Sequence, residues 1–463
     1  MDNNIAEKKT NKCFYINKNQ KAFANDCLNK DVLVEFWHNC SFQFSKIDLS
    51  TIKEFEFYIG KAKKPTLKSG EYAINVEENG VYVVAKGEKE LIRAFVTIAQ
   101  KMSMDYDGNV KIDVCQIEEE PKVKVQMAHF CIFPETKLYE LEKFVRLCGA
   151  LKYSHVIVEF WGMLKCDCLK ELAWEHAFSK DQIKPIIKIA NDFGMEVIPM
   201  FNHWGHASSS RICRGKHVVL DQNLSLQKYF SETGWCWEYK NPEVKKLHSQ
   251  IRKELIELCG NGEYFHIGCD EAWGFDFSKE SMTEFCDYVN GMSEELSKMG
   301  RRAIIWGDMF VYKREEFNPK NNYYAFSRSL ETEKFFLEHL DKRMVIGDWQ
   351  YTCPCYPVET SKIFVDAGFD VLICPWDRGW KQIKSCVDTA MDGLYGILHT
   401  TWNTINNGYP YLNYVSERVW GVKEIEALED LNTYQYCKTA EVLRKAYFIN
   451  GNYDKSGFGE KQI

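Results

Sequence analysis

The chain has 463 residues, 45% of them hydrophobic and 14% aromatic, which is ample for a large core and for more than one domain. Its formal charge of −7 is spread without basic blocks, which excludes a nucleic-acid partner recognised through clustered lysine and arginine. A membrane span is not expected either, because the chain has no run of about 18 consecutive apolar residues.

Residues Met1 to Lys18 are polar and lack the apolar stretch of a secretion signal, so the expected location is the cytoplasm, where 18 cysteines stay reduced. Residues 1–120 then predict a smaller α/β domain. Strand patterns run over Val32–Phe36, Phe55–Ile59, Gly80–Ala85 and Val110–Val114. A helix over Lys89–Ser103 has Leu91, Ile92, Ala94, Phe95, Ile98 and Ala99 on one face. An acidic linker ending at Pro121 follows.

Across 121–425 the pattern becomes strand, loop, helix, repeated. The eight strand candidates are Val123–Phe130, His155–Phe160, Glu196–Phe201, Tyr264–Gly268, Arg301–Trp306, Met344–Trp349, Val371–Pro375 and Gly396–Trp402. Helical stretches between them include Tyr139–Ala150, Asp181–Phe193, Glu243–Cys259 and Glu280–Gly300. Eight such units predict a (β/α)8 TIM barrel. A doubly wound open sheet would carry a glycine-rich loop after its first strand, and Gln126-Met-Ala-His-Phe130 carries none. Residues 426–463 read as a C-terminal helical tail.

In a barrel the strand ends converge on one cup. Those ends supply His129, Glu159, Asn202-His203-Trp204-Gly205-His206, Asp270-Glu271, Trp306, Asp348-Trp349-Gln350-Tyr351, Trp376-Asp377-Arg378 and Trp402. Two adjacent acids beside a tryptophan suit sugar-bond hydrolysis, which needs a proton donor, a group facing positive charge and a flat surface for the ring. The plainer role for Asp270-Glu271 is to cap the helix expected from about Phe277. Indoles at the ends of strands five, six and eight could box a small apolar group such as a methyl. His203 and His206, three apart and near Glu159, could instead bind a metal, as in barrel hydrolases that use zinc. Cys166-Asp167-Cys168 and Cys353-Pro354-Cys355 lack the CxxC spacing of structural zinc and read as small buried hydrophobes.

The sequence His266-Ile-Gly-Cys-Asp-Glu271 resembles the His-x-Gly-x-Asp-Glu signature of glycoside hydrolase family 20, the β-N-acetylhexosaminidases. Independently, Glu196-Val-Ile-Pro-Met-Phe-Asn-His-Trp-Gly205-His206 resembles the third strand of that family. The resemblance implies an α/β domain before the barrel, an acetamido pocket walled by Trp306, Trp349 and Trp402, and no cofactor or metal. It implies that the substrate's own 2-acetamido oxygen attacks the anomeric carbon, the substrate-assisted route. Glu271 is then the general acid, which must hold its proton near neutral pH. Asp270 orients the acetamido group, and His206 buttresses the pair. Tyr351 is a candidate contact to the acetamido oxygen.

The chain departs from the family where the sugar hydroxyls are gripped. Gln126-Met127 stand where the first strand usually carries Arg-Gly, and Asn403-Thr404 follow Trp402 where a glutamate is usual. Candidate replacements are His129, Glu159, Asp348, Asp377 and Arg378. The expected function is exo-acting removal of terminal β-linked GalNAc or GlcNAc, with the altered grip pointing to GalNAc, from an oligosaccharide or glycoconjugate. A homodimer is an assembly open to the chain. The competing functions are a metal-dependent barrel hydrolase and a sugar-binding protein without turnover.

Overall fold

The computed structural model describes residues 12–16, 22–25, 47–50, 55–105, 107, 109–208, 219–317, 323–402, 405–422 and 430–448. The chain divides into two compact units, Met1–Pro121 with Asp192–Gly194 and Ala440–Ile463, and Lys122–Asn191 with Met195–Thr439.

The first unit is built on a six-stranded sheet in the order Ile47–Ser50, Ala22–Asn25, Phe55–Gly60, Gly80–Ala85, Tyr72–Glu77, Cys115–Glu119. The helix Glu88–Lys101 buries Leu91, Ile92, Phe95 and Ile98, and Phe95 meets Phe57 of the sheet edge-on at 4.9 Å. The expected acidic linker is a strand instead. Cys115–Glu119 pairs antiparallel with Tyr72–Glu77, placing Ile117 opposite Ile74. Glu118 on that strand accepts the backbone N–H groups of Lys68, Ser69 and Gly70, so its charge caps a turn. The strand expected over Val32–Phe36 lies outside the described residues.

The second unit is a closed barrel of eight parallel strands. They are β1 (Val125–Cys131), β2 (His155–Glu159), β3 (Glu196–Met200), β4 (Tyr264–Gly268), β5 (Arg302–Trp306), β6 (Val345–Trp349), β7 (Asp370–Cys374) and β8 (Gly396–His399). β8 closes on β1, with Val125 opposite Gly396. The helices α1 (Leu138–Ala150), α2 (Lys180–Asp192), α3 (Pro242–Cys259), α4 (Lys279–Lys298), α5 (Leu330–His339), α6 (Glu359–Asp366), α7 (Trp380–Met391) and α8 (Ile405–Val419) follow the strands in turn. Their starts obey local chemistry. Asn241 accepts Glu243 N–H before Pro242 opens α3, and Ser278 accepts Ser281 N–H at the start of α4.

Strand alternation sends every second side chain inward. Met127, Ile157, Ile198, Met200, Tyr264, Ile304, Val345, Leu372 and Leu398 fill the barrel, so its centre is packed rather than hollow. The next inward positions toward the strand C-termini are His129, Glu159, Asn202, His266, Trp306 and Trp349. The same alternation that builds the core thus delivers polar and aromatic groups to one end. Among the described residues no helix is long and apolar enough to cross a membrane, and the cysteines are free thiols.

Candidate active site

Two neighbours on a regular strand face opposite ways, so Asp270 and Glu271 can share one site only if the backbone turns. It does. β4 ends at Gly268 with φ +69°, and Cys269 and Glu271 follow at +74° and +45°. A Cβ on Gly268 would sit 1.6 Å from Asn202 Oδ1, and one on Gly205 would sit 1.9 Å from the Asp270 carbonyl oxygen. Only glycine lets the ends of β3 and β4 interlock this closely. The interlock presents the His206 ring to both acids. Its Nε2 lies 2.7 Å from Glu271 Oε2 and 3.5 Å from Asp270 Oδ2. Asp270 is buried, while Glu271 remains partly open.

His206 and Trp402 also have positive φ, +53° and +43°. Non-glycine residues pay about 1–3 kcal/mol for such conformations and keep them only when their surroundings over-determine them. The surroundings are specific here. Trp161 Nε1 donates to the His206 carbonyl at 3.1 Å, and Trp235 Nε1 donates to the Glu271 carbonyl at 2.6 Å. The Glu271 N–H donates to Asp308 Oδ2 at 2.9 Å, and Asp308 Oδ1 accepts Trp349 Nε1 at 3.1 Å. Asp308 therefore ties the acid pair to the aromatic wall. Burial, and then the neighbouring charge of Asp270, push its carboxyl well above the usual range, against the pull of its two donors. An asparagine offers one acceptor and one donor in place of two acceptors. Asp308→Asn should therefore lower kcat by about 10²-fold, the cost of a misplacement near 1 Å. Steady-state kinetics beside a thermal melt checks this. An unchanged kcat in a folded variant removes Asp308 from the positioning machinery.

The indoles gather beside the acids. Trp349 is almost covered and Trp402 half-buried, with Trp306 5.9 Å from Trp402 between ring centres. Trp306 is fully covered, packed on His266 at 4.2 Å, so it forms the floor rather than a third wall. The phenol of Tyr351 receives Trp402 Nε1 at 2.9 Å and lies 3.0 Å from the Thr400 hydroxyl. Burial keeps this phenol neutral. The Thr400 hydroxyl also lies 3.0 Å from the Pro375 carbonyl, which can only accept, so its single proton is shared between Pro375 and Tyr351.

Several predicted contacts are placed differently. Asp348 precedes Trp349 on β6 and so points the other way, into the helix layer. One of its oxygens accepts Thr360 and Ser361 and the other accepts Gln350, so it is not a sugar contact. His129 and Glu159 face inward, but both are fully covered. They hold each other at 3.2 Å, and Glu159 accepts Asn202 Nδ2 at 3.1 Å. In this arrangement they brace the floor under Trp402, whose ring is 4.6 Å from His129, rather than line the opening. Arg378 is exposed beside Trp376, whereas Asp377 is half-exposed with its charge near Tyr411 of α8. The Arg378 guanidinium lies 3.9 Å over Trp376, which is 5.1 Å from Tyr351. His203 parts from His206. Its Nδ1 donates to the Phe201 carbonyl at 2.6 Å, and burial holds the ring neutral.

Sequence reasoning places Asp308 at the end of strand five without giving it a role, and misses Trp235, Tyr324 and Phe326 as site residues. Asp308 stands two positions after Trp306, a spacing that could have placed it on the same inner side. Tyr324 packs tilted against Trp349 at 4.4 Å and Phe326 lies 6.2 Å from it, both from the loop before α5, which carries no periodic signal.

His206, Asp270 and Glu271 each offer a ligand atom within 4.8 Å of the others, the only such trio found among the described residues. They could hold a metal with its fourth position open to water or substrate. They can equally act as a hydrogen-bonded acid pair oriented by histidine.

Residues 158–378 match the model of the glycosyl hydrolase family 20 catalytic domain. The chain is 20% identical over 417 residues to a lacto-N-biosidase of Bifidobacterium bifidum, covering 78% of this chain and 36% of that protein. The chain thus spans about a third of that relative's length. It is 20% identical over 410 residues to the beta subunit of β-hexosaminidase of Mus musculus, covering 79% of this chain and 72% of the relative. The structure of a β-N-acetylhexosaminidase from Bacteroides fragilis superposes with a TM-score of 0.66 at 16% identity, covering 93% of each chain.

Proposed function

Since the barrel, over residues 158–378, belongs to glycosyl hydrolase family 20 as a divergent member, we propose that this protein is an exo-acting β-N-acetylhexosaminidase working by the substrate-assisted, retaining route. The observation that carries the reading is the Asp270–His206–Glu271 cluster joined through Asp308 to the indole box. The relatives named above as a lacto-N-biosidase and a β-hexosaminidase subunit support the same sugar class.

In this mechanism the sugar's acetamido methyl lies among Trp349, Trp402 and the Trp306 floor. Tyr351 donates its proton to the acetamido oxygen. Asp270 accepts the acetamido N–H and faces the positive charge that develops as the oxygen attacks the anomeric carbon. Glu271 gives its proton to the leaving oxygen and later takes one from the attacking water. Water then opens the oxazolinium ion with overall retention. The substrate is a small oligosaccharide or glycoconjugate with a terminal β-linked N-acetylhexosamine.

The reading extends to the 4-hydroxyl, which alone distinguishes GalNAc from GlcNAc. A site built to hold one hydroxyl rejects the epimer because buried partners are left unpaired. The family's arginine and glutamate grip is replaced here, and the chain offers a half-exposed Asp377 next to Arg378, whose guanidinium lies over Trp376. We therefore propose substantial N-acetylgalactosaminidase activity, with Asp377 as a contact. The experiment compares kcat/KM for matched aryl GalNAc and GlcNAc glycosides in wild type and Asp377→Ala, with and without a chelator. A strong GlcNAc preference unmoved by the substitution rejects the selectivity proposal. Loss of activity on chelation transfers the site to the metal-dependent reading that the His206 trio favours.

A further inference from the structure

The loop that carries Glu271 has a second face. Ala272–Asp276 and the segment between Phe230 and Trp237, which pair across an antiparallel bridge, enclose a cleft of about 340 Å3. That volume is at the lower end of small-molecule sites, which run to about 300–1,000 Å3. Its wall is buried at Ala272, and its rim carries the exposed carboxylates Glu232, Glu238 and Asp276. Lys240 is also present but is engaged with Glu284 at 2.5 Å.

The cleft is linked to the acid site through neighbouring residues on two sides. Trp235, in the segment that forms one wall, donates to the Glu271 carbonyl. Trp273, on the other wall, leaves 46% of its surface open and meets Phe326 at 4.7 Å, and Phe326 in turn lies beside Trp349. An indole left open two residues after the acid offers a flat apolar face with a polar edge. A pyranose matches this lining. Its C–H face stacks on an indole and its hydroxyls donate to carboxylates, whereas an anionic ligand would meet three negative groups and an ammonium already paired.

We propose that this cleft is a leaving-group subsite for a neutral saccharide, with Trp273 as its stacking platform. The proposal rests on the hexosaminidase reading and adds to it the chemistry of the departing half of the substrate. The sugar attached to the glycosidic oxygen protonated by Glu271 continues outward past Trp273, and the rim carboxylates accept hydrogen bonds from its hydroxyls.

The test uses two substrates that share the cleaved sugar. One is a neutral trisaccharide with a β-linked N-acetylhexosamine at its non-reducing end. The other is the matching β-N-acetylhexosaminyl fluoride, whose leaving group fills no subsite. Trp273→Ala should lower kcat/KM for the trisaccharide by about 10- to 100-fold, the range for losing an apolar contact of this size, and leave the fluoride within about threefold. Trp273→Phe should recover most of the trisaccharide activity. Equal losses on both substrates overturn the subsite, as does a wild type that cleaves the fluoride and not the trisaccharide. A wild type that cleaves neither defeats the hexosaminidase reading itself, a separate outcome.

Discussion

Replacing Glu271 by glutamine is expected to lower kcat by about 10²–10⁴-fold for substrates with poor leaving groups, the range supplied by a positioned acid. Glu271 is held at three points, one on its carboxyl and two on its backbone. Its Oε2 faces His206 Nε2, its backbone N–H binds Asp308 and its carbonyl accepts Trp235. Glutamine keeps the size and the backbone grip but cannot give a proton. A nitrophenolate departs with little protonation, so aryl glycosides with good leaving groups should lose much less. Asp270→Asn should behave differently. It weakens the stabilisation of charge at the acetamido nitrogen, a demand that does not depend on the leaving group, so both substrate classes should fall together. The measurement is a series of kcat values against leaving-group pKa for wild type and both variants. A slope that steepens for Glu271→Gln and stays parallel for Asp270→Asn supports the division of labour. Small, equal losses in both variants would defeat it.

The second expected result concerns the substrate. Removing the 2-acetamido group should lower kcat/KM by roughly 10³-fold or more, because an attacking group already in place supplies much of the barrier reduction. In the proposed mechanism the box formed by Trp349, Trp402 and the Trp306 floor holds that group still, with Tyr351 at its oxygen. A thiazoline that mimics the cyclised intermediate should inhibit far more tightly than the product sugar, since it resembles the species the site stabilises. Efficient cleavage of a plain β-glucoside or β-galactoside would mean that a protein carboxylate is the nucleophile.

Much of the architecture was legible in the chain. The eight strands lie within two or three residues of their expected bounds, because each is a short apolar run closed by polar or turn residues, and that local signal survives any tertiary context. The placement of Asp270-Glu271 at a strand mouth followed from the same pattern. The segment before Pro121 was less legible. Cys115–Glu119 is acidic and short, and only its pairing with Tyr72–Glu77 makes it a strand.

The strand pattern also determined which residues arrive at the barrel's C-terminal end, and therefore the pool from which a site is drawn: His129, Glu159, His206, Asp270, Glu271, Trp306, Trp349, Tyr351, Asp377, Arg378 and Trp402. What it could not decide is which of them face one another. Asp348 and Trp349 are neighbours in sequence and opposites in space, since a strand alternates. Asp270 and Glu271 are neighbours in sequence and partners in space, because positive φ at Gly268, Cys269 and Glu271 turns the chain where alternation would have split them. His129 and Glu159 satisfy each other in the floor, and Asp308 joins acid to indole, through contacts between strands far apart in the chain. Periodicity fixes the side of a strand on which a residue lies. The backbone turns at strand ends and the hydrogen bonds between loops fix the site, and those exist only once the barrel has closed.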